Sequence, residues 1–223
     1  MTPNPADPGC RLIVFAKAPE PGKVKTRLIP ALGAAGAADL HRHLVRHAIG
    51  VAAEAALGPV ELWCAPDAQH PFFAECHRDF GVGLRSQGKG DLGERMLRAF
   101  QETLAHSPRA ILVGSDIPAL QAGHLRHADK ALREGYDCVL GPAQDGGYVL
   151  IGLVRPDPGL FHRMRWGGPD VLAETRRRIA RLQRRCRELP LLWDVDRPQD
   201  LKRIPKNVWP GPTATRNEFR HAS

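Results

Sequence analysis

Apolar and polar positions along this chain recur in two periods, and the changes between them mark out its elements. Arg11-Leu-Ile-Val-Phe-Ala-Lys17 is almost continuously apolar and predicts a strand covered on both faces. From about Gly33 to Leu57 the period becomes helical, with Ala37, Leu40, Leu44, Ala48, Val51 and Ala55 on one inner face. Val60 to Cys64 and the shorter Gly81 to Ser86 read as the second and third strands. Leu92, Met96, Leu97, Phe100 and Leu104 then describe an amphipathic helix. Ala110-Ile-Leu-Val-Gly114 is a fully apolar fourth strand ending in Ser115-Asp116. A helix around Gly123 to Glu134 leads to a fifth strand, Cys138 to Gly141, a sharp Asp145-Gly146-Gly147 turn, and a sixth strand from Tyr148 to Val154.

Leu172, Thr175, Ile179, Leu182 and Cys186 return at spacings of three and four, one buried helical face in an arginine-rich stretch. A last strand near Leu189 to Trp193 and a short helix from Pro198 to Ile204 follow. Strands alternating with helices of these lengths predict one three-layer α/β/α domain over residues 11–204, with a mainly parallel sheet. Residues 1–10 and 205–223, rich in proline, glycine and polar residues, are expected to be flexible ends.

Composition narrows the class. Of 223 residues, 43% are hydrophobic and 25% charged, which is ordinary for a globular chain. No apolar run approaches the ~20 residues that cross a bilayer, and Met1 to Gly9 has no apolar core of a signal peptide. Cys10, Cys64, Cys76, Cys138 and Cys186 follow no paired spacing and read as reduced thiols, so a cytoplasmic location is expected. The net charge of +8 suits an anionic partner. Much of it lies between Arg176 and Arg187, where Arg177, Arg178, Arg181, Arg184 and Arg185 fall mostly opposite the apolar stripe, as a solvated face would. No aromatic residues interleave with them, which argues against nucleic acid.

In open parallel sheets ligands bind beyond the carboxyl ends of the strands, so the residues leaving each strand carry the candidate chemistry. After the first strand, Lys17, Lys23, Lys25 and Arg27 place four cations within eleven residues of a loop shaped by proline and glycine. Such a loop suits a polyphosphate; the alternative is an exposed basic loop. It is not a Walker loop, because Lys17 stands at the first glycine position and Val24 follows Lys23. After the fourth strand, Asp116 is either a metal-binding carboxylate or a helix cap. Ser115 lies outside a G-x-S-x-G elbow. Asp145 serves a hairpin turn or an acceptor site equally well. Gln87-Gly88-Lys89-Gly90-Asp91-Leu92-Gly93-Glu94-Arg95 opens a helix whose free N–H groups allow close approach of a base or phosphate. Trp193-Asp194-Val195-Asp196 puts two acids after the last strand, either of which could supply a second metal carboxylate, while Asp200 fits the first turn of the final helix. His41, His43 and His47 share a helix, but no third zinc ligand is suggested and Arg42 and Arg46 oppose a cation.

Taken in order, Phe-Ala-Lys-x-Pro-x-x-Gly-x-Val-Lys-Thr-Arg-Leu, Gln-Gly-x-Gly-Asp-Leu-Gly-Glu-Arg-Met, Gly-Ser-Asp-Ile-Pro, Asp-Gly-Gly-Tyr and Asp-Val-Asp-x-Pro-x-Asp-Leu resemble one bacterial family. These are the GT-A-type transferases related to arsenosugar-biosynthesis glycosyltransferases, also called radical-SAM/selenodomain-associated transferases. The resemblance runs from about Arg11 to Ile204. More distantly the chain is similar to molybdopterin and phospholactate nucleotidyltransferases. It departs from these patterns at Arg197-Pro198-Gln199, where Thr-Pro-Glu is usual, and in lacking a Gly-Gly-x-x-x-Arg first loop.

The resemblance implies a nucleotide-diphospho-sugar transferase fold with Asp116 as the acid on a Mg2+ or Mn2+ ion. With the strand-end chemistry it sets the expected site. Ala16, Lys17, Lys23, Gly88, Gly90, Asp91, Arg95 and Ser115 would bind the nucleotide, Asp116 and Asp196 the metal, and Lys25, Arg27 and Asp145 would act in catalysis. Two transferase reactions fit, both with a small-molecule acceptor. One is glycosyl transfer from a nucleotide-sugar; the other passes a nucleotidyl group from a nucleoside triphosphate to a phosphorylated acceptor. A nucleic-acid-binding protein using the arginine helix is the non-enzyme alternative, and it predicts salt-sensitive binding that survives Asp116→Ala.

Overall fold

The computed structural model describes residues 9–212. Its seven strands are β1 (Cys10–Lys17), β2 (Val60–Ala65), β3 (Gly83–Ser86), β4 (Arg109–Gly114), β5 (Cys138–Pro142), β6 (Tyr148–Leu153) and β7 (Cys186–Glu188). They form one sheet in the order β3-β2-β1-β4-β6-β5-β7. All neighbours are parallel except β6, which runs antiparallel to both β4 and β5.

The period-2 pattern of the central strands explains the layers. In β1, Leu12, Val14 and Ala16 face one core while Ile13 and Phe15 face the other. In β4, Ile111 and Val113 oppose Ala110 and Leu112 in the same way. The first face is covered by α1 (Ile29–Ala55), α2 (Pro71–Phe80) and α4 (Ala122–Arg133); the second by α3 (Leu92–Leu104), α5 (Pro158–Phe161) and α6 (Val171–Arg181). With both faces buried, the apolar strands read as near-continuous runs.

Several boundaries differ from those expected. The first helix begins at Ile29, with Pro30 in its first turn, and Gly33 (φ 70°, ψ 167°) breaks it locally. Neither α2 nor α5 was legible, since Phe72, Phe73 and Cys76 are too few to define a period. Helix α6 ends at Arg181 and Gln183 turns left-handed (φ 52°), so Cys186 lies on β7 and not on the helical stripe. The last strand stops at Glu188 because Pro190 has no N–H to give; Leu192 makes only an isolated bridge to Ala143.

The packed chain also extends past residue 204. Val208 and Trp209 join Leu28, Leu40, Leu44, Val195 and Ile204 in a third cluster, and Trp209 Nε1 donates to Asp39 Oδ2 (3.2 Å). Cys10 belongs to β1 and not to a loose end. The remaining parts of the expected flexible ends, residues 1–8 and 213–223, lie outside the described residues. Among the described residues no helix is long and apolar enough to cross a membrane.

The strand order runs outward from β1 through β2 to β3 on one side and through β4 on the other. The switch point therefore lies between the carboxyl ends of β1 and β4, where a crevice opens in such sheets. The basic loop and Asp116 leave the sheet there.

Candidate active site

Beyond β1 the chain drops into a single 3-10 turn, Thr26–Leu28, anchored by fully buried Leu28. Lys25 precedes it in the left-handed region (φ 48°, ψ 39°), a conformation that costs a residue with a Cβ about 1 kcal/mol or more. That geometry carries its side chain inward to 6% exposure, where Nζ lies 2.9 Å from Asp116 Oδ1 and donates to the Val195 carbonyl. On the other side of Asp116, His41 Nδ1 is 3.6 Å from the same oxygen, while His41 Nε2 hydrogen-bonds the Lys17 carbonyl (3.0 Å). Asp116 Oδ1 is thus buried between two basic side chains, yet the carboxylate group remains 44% exposed toward the cleft.

These neighbours determine its charge. Burial pushes the Asp116 carboxyl up, but the Lys25 ammonium and then His41 outweigh it and hold the group well below the ordinary carboxylate range. Asp116 also fixes the last loop, since Val195 N donates to the Asp116 carbonyl (2.9 Å). Val195 is fully buried between two acids in extended chain, so Asp194 and Asp196 point to opposite sides. Asp196 pairs with Arg27 on the open rim. Asp194 turns toward Asp145 and Asp116. Burial first, then the charges of Asp145 and Asp116, raise its carboxyl above the ordinary value, with Lys25 opposing them.

Two adjoining cavities result. One, of about 640 Å³, is lined by Ala16, Lys17, Lys23, Lys25, Arg27, Gly90, Asp91, Arg95, Ser115, Asp116 and Asp196, together with His41 and Gln87. The other, of about 420 Å³, has walls from Phe15, Leu92, Met96, Tyr148, Trp166 and Val171 and carries Asp116, Asp145 and Asp194. Phe15, Leu92, Gly114 and Asp116 border both. Asp116 therefore stands where the two spaces meet.

Some candidate residues have additional or different duties. Asp91 caps α3, accepting from Glu94 N (2.9 Å), and Arg95 Nε donates to the Gly90 carbonyl (2.9 Å). Gly88 lines neither cavity; its positive φ of 72° lets the chain turn where the Arg98 guanidinium packs against it. The neighbouring Gln87 lines the larger cavity instead, held by bonds from Nε2 to the Ala16 and Trp63 carbonyls. Asp145 accepts from Gly147 N (2.9 Å), the bond of a turn, and lines the smaller cavity as well. A Cβ on Gly146 (φ 88°) would fall 2.1 Å from the Pro169 carbonyl, so the turn is pressed against the segment leading into α6.

His41 and Trp166 were missed by sequence reasoning, which left open whether Asp194 or Asp196 supplies a second metal carboxylate. The pair Asp194-Val195-Asp196 signals acids without saying which side each takes, and His41 was weighed only as a zinc ligand. His43 bonds the Asp39 carbonyl on its own helix (3.0 Å), and burial lowers the His47 pKa. Among the described residues no group of three or more His, Cys, Asp or Glu is arranged to hold a metal unaided. Asp200 caps the final 3-10 turn, accepting from Asp196 N and Arg197 N. The arginine helix is occupied with its own acids: Arg177, Arg178 and Arg181 pair with Glu174, Arg176 with Glu188, and Arg184 with Asp157.

Comparison with known proteins places this geometry. The sequence profile of a family described as "Uncharacterized protein conserved in bacteria (DUF2064)" matches residues 48–168. No curated protein sequence matches the chain. Among solved structures, a Desulfovibrio desulfuricans protein provisionally named a nucleotide-diphospho-sugar transferase is 33% identical, with a TM-score of 0.79 over 96% of this chain and 91% of that one. The inositol-1-phosphate CTP transferase of T. maritima gives a TM-score of 0.59 at 12% identity, covering 91% of this chain and 97% of that one. Rv0371C of Mycobacterium tuberculosis, in complex with manganese, gives 0.50 at 16% identity over 88% and 97%. The seven-stranded, mainly parallel sheet matches the fold of the two structures among these that are named as transferases.

Proposed function

The chain belongs to the bacterial DUF2064 family, and from that premise we propose that it is a metal-dependent glycosyltransferase using a nucleotide-diphospho-sugar and a small-molecule acceptor. The observation that carries this reading is the convergence of the basic loop and Asp116 on one crevice at the β1/β4 switch point, beside a second cavity. The 33% identical relative, named for the same chemistry, supports it, as does the resemblance to arsenosugar-biosynthesis glycosyltransferases. A cytoplasmic location belongs to the same proposal.

The donor set fits a hard divalent ion. Asp116 and Asp194 are carboxylates that line one cavity, with the Asp116 charge acting on Asp194, and magnesium takes one or two such groups plus substrate phosphate oxygens. A bound Mg2+ or Mn2+ would be held by Asp116 and Asp194 and would supply positive charge to the departing diphosphate. Lys25 keeps Asp116 ionised for that task. Lys17, Lys23 and Arg27 hold the phosphates, and the charge they present is fixed before reaction begins. Asp145, across the smaller cavity, accepts the proton of the acceptor hydroxyl.

Nucleotidyl transfer is the second reading, favoured by five cations, Lys17, Lys23, Lys25, Arg27 and Arg95, around one cleft of about 640 Å³, enough charge for a triphosphate. Nucleoside triphosphates and nucleotide-sugars, each with and without Mg2+ or Mn2+, separate the two by thermal shift and product analysis. A ligand at a hundred times its Kd raises stability by about 2.7 kcal/mol. The expected result is metal-dependent stabilisation by a nucleotide-sugar, slow release of nucleoside diphosphate from it, and loss of both in Asp116→Asn. Pyrophosphate release from a triphosphate would establish the second reading instead.

A further inference from the structure

The smaller cavity differs in chemistry from its neighbour. Its walls include Phe15, Leu92, Met96, Tyr148, Trp166 and Val171, and among the described residues its charged lining groups are Asp116, Asp145 and Asp194. Among the described residues no lysine, arginine or histidine lines it. Tyr148 and Trp166 meet edge to face, with ring centroids 6.4 Å apart, and form an aromatic wall. The Tyr148 hydroxyl itself is buried beside Thr175.

We infer that this cavity binds an uncharged, largely apolar acceptor bearing a hydroxyl, and that it rejects phosphorylated acceptors. The inference rests on the transferase reading above and names the acceptor class of that site. A phosphate entering here would lose its water to apolar walls, and the Asp145 carboxylate, which stands outside the pair that would hold the metal, would face it. Like charges brought together at a binding site disfavour the partner. An aromatic or aliphatic alcohol meets neither cost. Its ring or chain packs against Met96, Val171 and the Tyr148–Trp166 wall, and its hydroxyl reaches the acidic end.

The transfer then balances without a further reactant. The acceptor oxygen forms a bond to the anomeric carbon of the sugar. The bond from that carbon to the diphosphate oxygen breaks, and its electron pair leaves with the nucleoside diphosphate. The acceptor proton passes to the Asp145 carboxylate. Selection of a neutral acceptor also separates this reaction from one that extends a phosphorylated substrate.

Ligand-observed NMR on the full chain tests the inference with 2-phenylethanol and phenyl phosphate as probes, each with the nucleotide-sugar that gives the largest thermal shift present. The alcohol is expected to bind at least about tenfold more tightly than the phosphate ester. Asp145→Lys, on the exposed turn, should reverse that order by adding a cation. Val171→Trp should displace the alcohol by filling the cavity, with nucleotide binding in the same sample reporting that the variant is folded. Equal or tighter binding of phenyl phosphate to the unaltered chain overturns the proposal, and so does failure of both probes while the nucleotide still binds. Failure of every nucleotide, with the alcohol still preferred, overturns the transferase reading and leaves the cavity's preference for neutral ligands standing.

Discussion

Asp116 and Asp194 lie close together yet are driven in opposite directions. At Asp116 burial favours the neutral acid, but Lys25 and His41 prevail and the pKa is depressed below 3.8. A depressed acid stabilises the fold at pH values above 3.8, and that contribution disappears only as pH falls through the lower folded value. At Asp194 the pKa is raised above 3.8, so its contribution is fully present below 3.8 and is lost as pH rises through the folded value. Because a metal takes the ionised form, binding of a nucleotide with Mg2+ should strengthen as pH rises through the Asp194 value, with a proton released. Titration calorimetry in buffers of different ionisation enthalpy measures that proton. Asp194→Asn should abolish the pH limb and weaken metal-dependent binding by about a hundredfold, a scale that loss of a metal's supporting partner can reach. Asp196→Asn breaks only the rim pair with Arg27, and its effect should stay within about fivefold. The reverse ranking would assign the metal to Asp196.

Among elements, the segment closing the chain has the widest mechanical reach. Trp209 packs in the cluster that contains Leu28, directly after the Lys25 turn, and Val195, between the two acids. Trp209→Ala should therefore lower stability by about 3–5 kcal/mol, and calorimetric melting measures it. The loss of nucleotide affinity should exceed that of a variant equally destabilised elsewhere, for example at the buried Arg109–Asp129 pair that ties β4 to α4. The elements that bear the site were legible to different degrees. β1 and β4 were clear because burial on both faces leaves uninterrupted apolar runs, and their exits carried Lys25 and Asp116 with them. Asp194 was obscured because an extended segment of two acids around one valine has no second apolar position to fix its register. Trp209 was hidden by the prolines and glycines around it, which read as a loose end although two large side chains there find a core. His41 lies beside Leu40 on a helix whose inner face was recognised, but its partner Asp116 is far away in sequence.

Over the whole molecule, the net charge of +8 is divided unevenly. The arginine-rich helix is the most basic part of the sequence, yet Glu174 alone engages Arg177, Arg178 and Arg181, and Glu188 and Asp157 engage Arg176 and Arg184. The cations of the β1 loop instead surround a cleft, and across Asp116 the neighbouring cavity is acidic. An anion approaching the protein is thereby attracted to the side of the crevice lined by Lys17, Lys23, Lys25, Arg27 and Arg95. The dependence of nucleotide affinity on salt reads this division directly. In Lys23→Ala the plot of log Kd against log salt concentration should become shallower, because a phosphate contact and its released counterion are lost. The double variant Arg177→Ala/Arg181→Ala should leave that slope unchanged and alter stability by no more than about 1 kcal/mol. If the double variant flattened the slope and Lys23→Ala did not, the anion would bind along the arginine helix, and the crevice between β1 and β4 would not be its site.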